Sequence, residues 1–432
     1  MAPSLLAFSE VSAVFCLLLI LLVPFAGAGL ALINSGLGRS RSAAHAMVGA
    51  LSVTAVAVLV YVIVGFAWQG AAGRPDHGLV VAGKTWGWIA AEPFFLRGLR
   101  LDLSPAALVA LLQMFSVGLA GMIPLSSGAD RWRLGAICAS TALLAGWTYP
   151  LFAHWVWGGG WLAQLGVNGG LGRGFVDGGG SGTIQVVGGL TALSITWILG
   201  PRRGKFSAEG MPTALPGHNV VVVLLGCVFA WIGWMALNSA GAMLFLGVEP
   251  GRTVLIAVNT TLCAAASGLT AAVVTRARFG RPDASLIANG WIAGLVASSA
   301  AAALLKPAAA MIVGGVAGIL VVWVADFLEF RLAIDDPGGA VSVHAAGGLW
   351  GVLAVALLAD ALPRGQWIAQ VVGIATLLGF VLPLSYGLNW LLNRVYRQRV
   401  AREGELQGMD LFELGAGAYP ELDIHGDEFL PR

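Results

Sequence analysis

DGGGSGTIQVVGGL (residues 177–190) and DPGGAVSVHAAGGL (residues 336–349) are two copies of one pattern. In each, an Asp is followed eight positions later by one polar side chain, Gln185 or His344. Gly-Gly-Leu follows after two more residues. Everything around the polar residue is small or apolar. Read as helices, the copies carry Gln185 and His344 about 12 Å inside, at roughly 1.5 Å per residue. That depth approaches the middle of a hydrocarbon layer roughly 30 Å thick. Two such helices entering from opposite sides would bring Gln185 and His344 together near the midplane.

The composition calls for such a layer. Of 432 residues, 58% are hydrophobic and 11% charged, and the mean hydropathy is +0.83. A soluble domain carries about 25% charged residues. The 61 glycines would weaken soluble helices but allow close helix approach in a membrane. Cys16, Cys138, Cys227 and Cys263 lie inside apolar runs without CxxC spacing, which reads as packing and not as a disulfide or metal framework. The first apolar run, near 11–32, has no basic segment before it and is too long for a secretory signal core. It reads as a first span.

Apolar runs predict an all-α polytopic membrane protein with eleven transmembrane helices. They lie near 10–33, 44–68, 105–127, 134–157, 182–200, 219–243, 253–275, 284–304, 307–329, 339–360 and 366–393. Alternate loops hold sixteen Lys and Arg (Arg39, Arg131, Arg202 and the C-terminal arginines among them) against eight in the others. The richer side is cytoplasmic, so the N-terminus is outside and the C-terminus inside. The two copies then run in opposite directions, and spans 1–5 and 6–10 read as an inverted repeat. Ala31-Leu32-Ile33-Asn34-Ser35-Gly36 in span one and Ala236-Leu237-Asn238-Ser239-Ala240-Gly241 in span six are a second echo. Such repeats place a substrate site at their interface. The membrane domain covers 1–402. Residues 403–432 form a cytoplasmic tail with eight acidic residues, partly disordered unless it docks.

Few side chains here can carry chemistry. His344 is the one ionisable residue placed deep in a span, and such a residue is functional by default. It reads as a pore-lining group, or as a core histidine bonded to a backbone carbonyl. Gln185 can accept or donate a hydrogen bond but does not titrate. Asp177 and Asp336 read as N-caps, and Asp177 can also stabilise a cation near an outer mouth; the roles are compatible. Trp157, in His154-Trp155-Val156-Trp157-Gly158-Gly159-Gly160, is either an interfacial anchor or a face for a small cation. There is no phosphate loop, zinc spacing, Ser-His-Asp grouping or carboxylate chain, so no enzyme, cofactor, metal site or nucleic-acid partner is expected.

Several of these stretches carry a resemblance. Pro150 to Gly160 resembles the fourth-span signature of the ammonium transporter (Amt/Mep/Rh) family. Gly29-Leu30-Ala31-Leu32 and Ser35 to Ser40 resemble the end of its first span. Gly233-Trp234 with Asn238 resembles its sixth, and Asp335-Asp336-Pro337 with His344 its tenth. The resemblance implies a homotrimer with one pore per subunit, conducting ammonium across a plasma membrane, here expected to be a bacterial inner membrane. It also implies that Trp157 is the outer recruitment Trp, Asp177 the essential acidic residue and His344 the second pore histidine.

Four pore positions depart from the family pattern. Gln185 stands in place of the first pore histidine. Ser116 and Leu237 fall at the two gate phenylalanines, with Phe115 one residue away. Gly241 falls at the outer-site Ser. In the tail, Gly408-Met409-Asp410, Gly415, Ala418 and Tyr419 resemble a regulatory motif that implies a P-II-type signal protein as partner. Leu414 and Ala416 replace its His and Glu and weaken that implication. The expected function is therefore ammonium transport or conduction through a pore without the paired-histidine relay. The alternatives are an ammonium receptor of the same fold with little transport, and a pore for another small solute.

Overall fold

The computed structural model describes residues 8–360 and 362–419. The tail residues Glu421, Asp423, Asp427 and Glu428 and the C-terminal Arg432 lie outside the described residues. Among the described residues, ten helices are long and apolar enough to cross a membrane. They are α1 (Glu10–Leu37), α2 (Ser40–Gln69), α3 (Pro105–Ser127), α4 (Leu134–Gly169), α5 (Ser181–Leu199), α6 (Val220–Leu246), α7 (Pro250–Phe279), α9 (Pro307–Arg331), α10 (Val341–Leu358) and α11 (Gln366–Val395). Residues 157–160 interrupt α4. Helices suit this environment because every backbone polar group is satisfied within the segment.

The eighth expected span differs. It forms the 15-residue helix α8 (Ala284–Ser298), and 299–304 leave the helix in turns. The reason is competition for its carbonyls. Ser299 O accepts from Gly179 N at 2.6 Å, and Ala300 O from Gly178 N at 3.3 Å. Ala302 O and Leu305 O both accept from the Asn259 amide. The loop after Asp177 and the α7 side chain thus take up groups that a longer helix would use.

A short antiparallel hairpin, β1 (Asp76–Val81) and β2 (Lys84–Ala90), joins α2 to the loop before α3. Its two-residue turn has positive φ at Ala82 and Gly83, as such hairpin turns require. Trp88 holds the hairpin down, its ring centroid 5.1 Å from that of Trp155.

Small residues set the central crossings. A Cβ on Gly29 of α1 would lie 2.5 Å from Ala230 N of α6, and one on Gly233 only 2.1 Å from Ala26 N. Backbones this close depend on the missing side chains, since in a membrane tight packing replaces a hydrophobic drive between helices.

At one end, buried charges tie loops together. Arg202 donates Nε and Nη2 to Asp335 at 2.9 and 3.0 Å and Nη1 to Asp130 at 3.1 Å. Arg131 donates to Gly200 O and to Asp335 O. Burial works to raise the Asp335 pKa, but the Arg131 charge and the Arg202 bonds overcome it and hold it below the usual carboxylate value. The start of the expected tail docks at this end as well. Asp410 accepts from His45 N at 2.7 Å and Ala44 N at 3.1 Å, supplying a cap that α2 lacks of its own. Glu413 bonds His45 Nε2 at 2.9 Å and Leu134 N at 2.8 Å.

Candidate functional site

The two copies of the opening pattern fold alike. Asp177 Oδ2 accepts from Gly182 N (3.0 Å), Thr183 N (2.7 Å) and Thr183 Oγ1 (2.8 Å). Asp336 accepts from Ala340 N (3.1 Å), Val341 N (2.8 Å) and Ser127 Oγ (2.6 Å). Both carboxylates therefore cap the first turn of their helix. They differ in one respect. Asp177 Oδ1 is buried without a protein partner, a free acceptor beside the capped turn. Each helix then begins with a six-residue π-turn, Ser181–Val186 and Val341–Ala346, a wider winding that recurs at functional sites.

Gln185 and His344 lie within those π-turns, and their side chains meet. His344 Nδ1 is 2.8 Å from Gln185 Oε1. An amide oxygen can only accept, so in this arrangement Nδ1 carries the proton and Nε2 is the open acceptor. Gln185 is wholly buried and its Nε2 has no protein partner. His344 keeps 5% of its surface exposed. The Gly-Gly-Leu triplets make this meeting possible. A Cβ on Gly189 would lie 2.4 Å from Ala345 N, and one on Gly348 2.6 Å from Ser181 O and 2.7 Å from Val186 Cγ2. The second glycine of each copy thus receives the π-turn of the other, a reciprocal contact. Beyond the pair, Gly179 N bonds the end of α8, while Gly338 and Asp336 press on Ser126 and Ser127 at the end of α3.

Of the other candidate positions, Trp157 and Gly241 touch the Asp177 loop. Ser116 is buried and returns its hydroxyl to Leu112 O at 2.9 Å. Leu237 is buried, and Phe115 is partly buried. Gly241 faces the backbone: a Cβ there would lie 2.3 Å from Gly178 O, so a side chain is excluded where a polar residue was sought. Trp157 is buried, unlike a membrane-interface anchor, and its Nε1 donates to Asp177 O at 2.9 Å. One neighbour escaped the sequence reading. Phe245 stacks on Trp157 with centroids 4.5 Å apart and planes 8° from parallel. Helical spacing offered a signal. Trp234, Asn238, Gly241 and Phe245 recur at steps of four, three and four, one face of a helix. Trp234 donates to Ser299 Oγ and Asn238 to Ser298 Oγ and Thr260 Oγ1, so this face of α6 lies along the end of α8 and the Asp177 loop. The last of the four falls past the expected end of span six at 243.

No group of three or more His, Cys, Asp or Glu residues is arranged to hold a metal among the described residues. The chemistry on offer is hydrogen bonding by Gln185 and His344, acceptance by Asp177, and aromatic contact at Trp157.

Comparison with known proteins gives one answer. A family profile described as Ammonium Transporter Family matches residues 14–419. Amt2 of Archaeoglobus fulgidus, named an ammonium transporter, is 34% identical over 426 residues, which is 93% of this chain and 86% of that protein. The ammonium transporter of Bacillus subtilis is 30% identical over 422 residues, 94% of this chain and 97% of its own. Among solved structures, one described as a sensor Amt protein superposes with a TM-score of 0.83 at 28% identity, covering 93% of this chain and 97% of its own. Mep2 of Candida albicans superposes with a TM-score of 0.80 at 24% identity, over 98% and 93%, a likeness of fold.

Proposed function

Because the chain belongs to the ammonium transporter family, we propose that it conducts ammonium through a pore in which Gln185 and His344 act as a mixed pair. The protein crosses the plasma membrane, a bacterial inner membrane, eleven times as a homotrimer, N-terminus outside and C-terminus inside. Spans 1–5 and 6–10 form an inverted repeat. The reciprocal seating of Gly189 against Ala345 and Gly348 against Ser181 and Val186 supports that repeat. The meeting of Arg39, Arg131, Arg202, Arg203 and Arg399 with the docked tail and its neighbouring loops supports a single arginine-rich face. The tail and this face would be the place for a P-II-type partner.

One observation carries the reading: the 2.8 Å bond between Gln185 and His344 on mirrored helices. Two imidazoles in contact can pass a proton along their shared bond. An amide holds the bond but does not titrate near neutral pH. Gln185 therefore preserves the geometry of the pair and removes one proton-transfer partner. Asp177, Trp157, Ser116, Leu237 and Gly241 belong to the outer half of the path. Asp177 acts there through its free Oδ1 and as the cap that fixes the Gln185 helix.

The test is electrical. Purified protein in liposomes on a solid-supported membrane receives an ammonium pulse, beside a Gln185→His variant. The variant is expected to change the charge moved per ammonium, seen as a different ratio of current to flux. Equal current and equal flux in both proteins would overturn the mixed-pair mechanism.

A receptor with little transport is the second reading. It is favoured by the Phe245 ring on the face of Trp157 and by the fold shared with a sensor Amt protein. Saturable ammonium binding without current or flux in the native protein would select it. Absence of both binding and flux would select a pore for another small solute.

A further inference from the structure

We propose that Phe245 is the outer gate of this protein, a ring that a small cation must move aside to reach Trp157. The inference rests on the reading of the chain as an ammonium-handling protein.

Four observations lead to it. The first is contact. At 4.5 Å between centroids and 8° between planes, the Phe245 and Trp157 rings touch, since carbon atoms at optimal separation are about 3.5–4.0 Å apart. No ion fits between them. A cation needs an open ring face to gain from it, and this face of Trp157 is covered. Second, the Trp is fixed while the Phe is less so. Trp157 is tied to Asp177 O by its indole N–H, and a Cβ on Gly180 would lie 3.2 Å from its outer ring edge. Phe245 is only partly buried, and α6 ends two residues later at Gly247 in a left-handed cap.

Third, the chain that follows the ring borders an opening. Leu246 and Gly247, next in sequence, line an open cleft of about 420 Å³ together with Arg173, Glu249, Arg252 and Asp360. Leu246 also covers the Asp177 loop, where a Cβ on Gly178 would lie 2.7 Å from its Cδ1. Fourth, three of the other candidate positions lack rings. Ser116 and Leu237 are not aromatic, and Gly241 has no side chain. Phe245 is the aromatic residue stacked on Trp157 among the described residues, and it continues the α6 face that borders the loop.

The ring and the cation compete for one surface. A stacked pair is worth about the same as a partly exposed cation–π contact, so neither excludes the other outright. Displacing Phe245 weakens apparent ammonium affinity by a factor of about 2 to 13, the range that aromatic stacking implies.

The experiment compares native protein, Phe245→Ala and Phe245→Tyr. It reads the half-saturating ammonium concentration of current or binding, and the discrimination between ammonium and methylammonium. Thermal melting confirms that each variant is folded. Phe245→Ala is expected to lower the half-saturating concentration about 2- to 13-fold and to admit methylammonium more readily. Phe245→Tyr, which keeps the ring, should stay near native. Unchanged half-saturation in Phe245→Ala, or a higher one, would overturn the gate, the latter because the ring would then help to hold the cation. If neither native protein nor any variant binds or conducts ammonium or methylammonium, the ammonium reading itself fails. That outcome is distinct from an unchanged half-saturation value.

Discussion

A methyl group at Gly189 should separate the two halves of the site, while one at Gly347 should not. The built Cβ of Gly189 lies 2.4 Å from Ala345 N and 2.8 Å from Ala345 Cα. Ordinary contact begins near 3.4 Å, so the opposing backbone must retreat by about 1.0 Å (3.4 − 2.4). Ala345 adjoins His344 in the same π-turn. A comparable shift of His344 would stretch its 2.8 Å bond to Gln185 beyond the usual range of roughly 2.7–3.2 Å. Overpacking costs about 1–3 kcal/mol, and a buried polar group left unpaired costs about 1–3 kcal/mol. The terms overlap, so Gly189→Ala should destabilise by about 2–4 kcal/mol. At Gly347 the nearest atom to a built Cβ is 3.7 Å away, and Gly347→Ala should be neutral or slightly stabilising, given alanine's advantage in helices. Thermal unfolding in detergent, followed by retention on size exclusion, measures the difference. Ammonium-evoked current reports on the site. If Gly189→Ala matched Gly347→Ala in both, the reciprocal glycine contact would not be what sets the Gln185–His344 geometry.

Three further outcomes follow from the arginine-rich end. Arg202→Met should destabilise by about 3–5 kcal/mol, as removal of one partner from a buried ion pair does, because Asp335 and Asp130 both lose a donor. The Asp335 pKa is depressed in the folded protein. Its stabilisation is therefore complete above the unfolded carboxylate value of about 3.9. It fades as pH falls through the lower folded value. Native thermal midpoints should drop below about pH 4, and in Asp335→Asn that acid-dependent step should shrink; an identical acid profile would exclude Asp335 as its source. Asp410→Ala should release the tail from the α2 terminus at about 0.5–2 kcal/mol, the cost of a lost cap. Faster trypsin cleavage at Arg399 or Arg402 with little change in the core melting curve is the expected sign, and unchanged cleavage would show that other contacts hold the tail.

The spans were legible because a hydrocarbon solvent leaves a plain mark: long apolar runs with their charges in the loops. Span eight was misjudged in length for a reason local sequence does not contain. Its last carbonyls are captured by Gly178 and Gly179 N–H groups from more than a hundred residues away. The tail was readable as acidic and polar, but its docking depends on where Ala44, His45 and Leu134 present free N–H groups.

The same division runs through the site. The sequence by itself determined that two Asp-led, glycine-rich helices each carry one large polar side chain two turns inside, Gln185 or His344, because spacing along a helix fixes depth and face. It also determined the family, since those residues recur in order along the chain. Only the tertiary structure decided that Gln185 bonds His344, that Gly241 has no room for a side chain, and that Phe245 covers Trp157. Each of those depends on the distance between backbones of different helices. That distance is set by which glycine lies opposite which carbonyl, a relation between remote segments that no local pattern records.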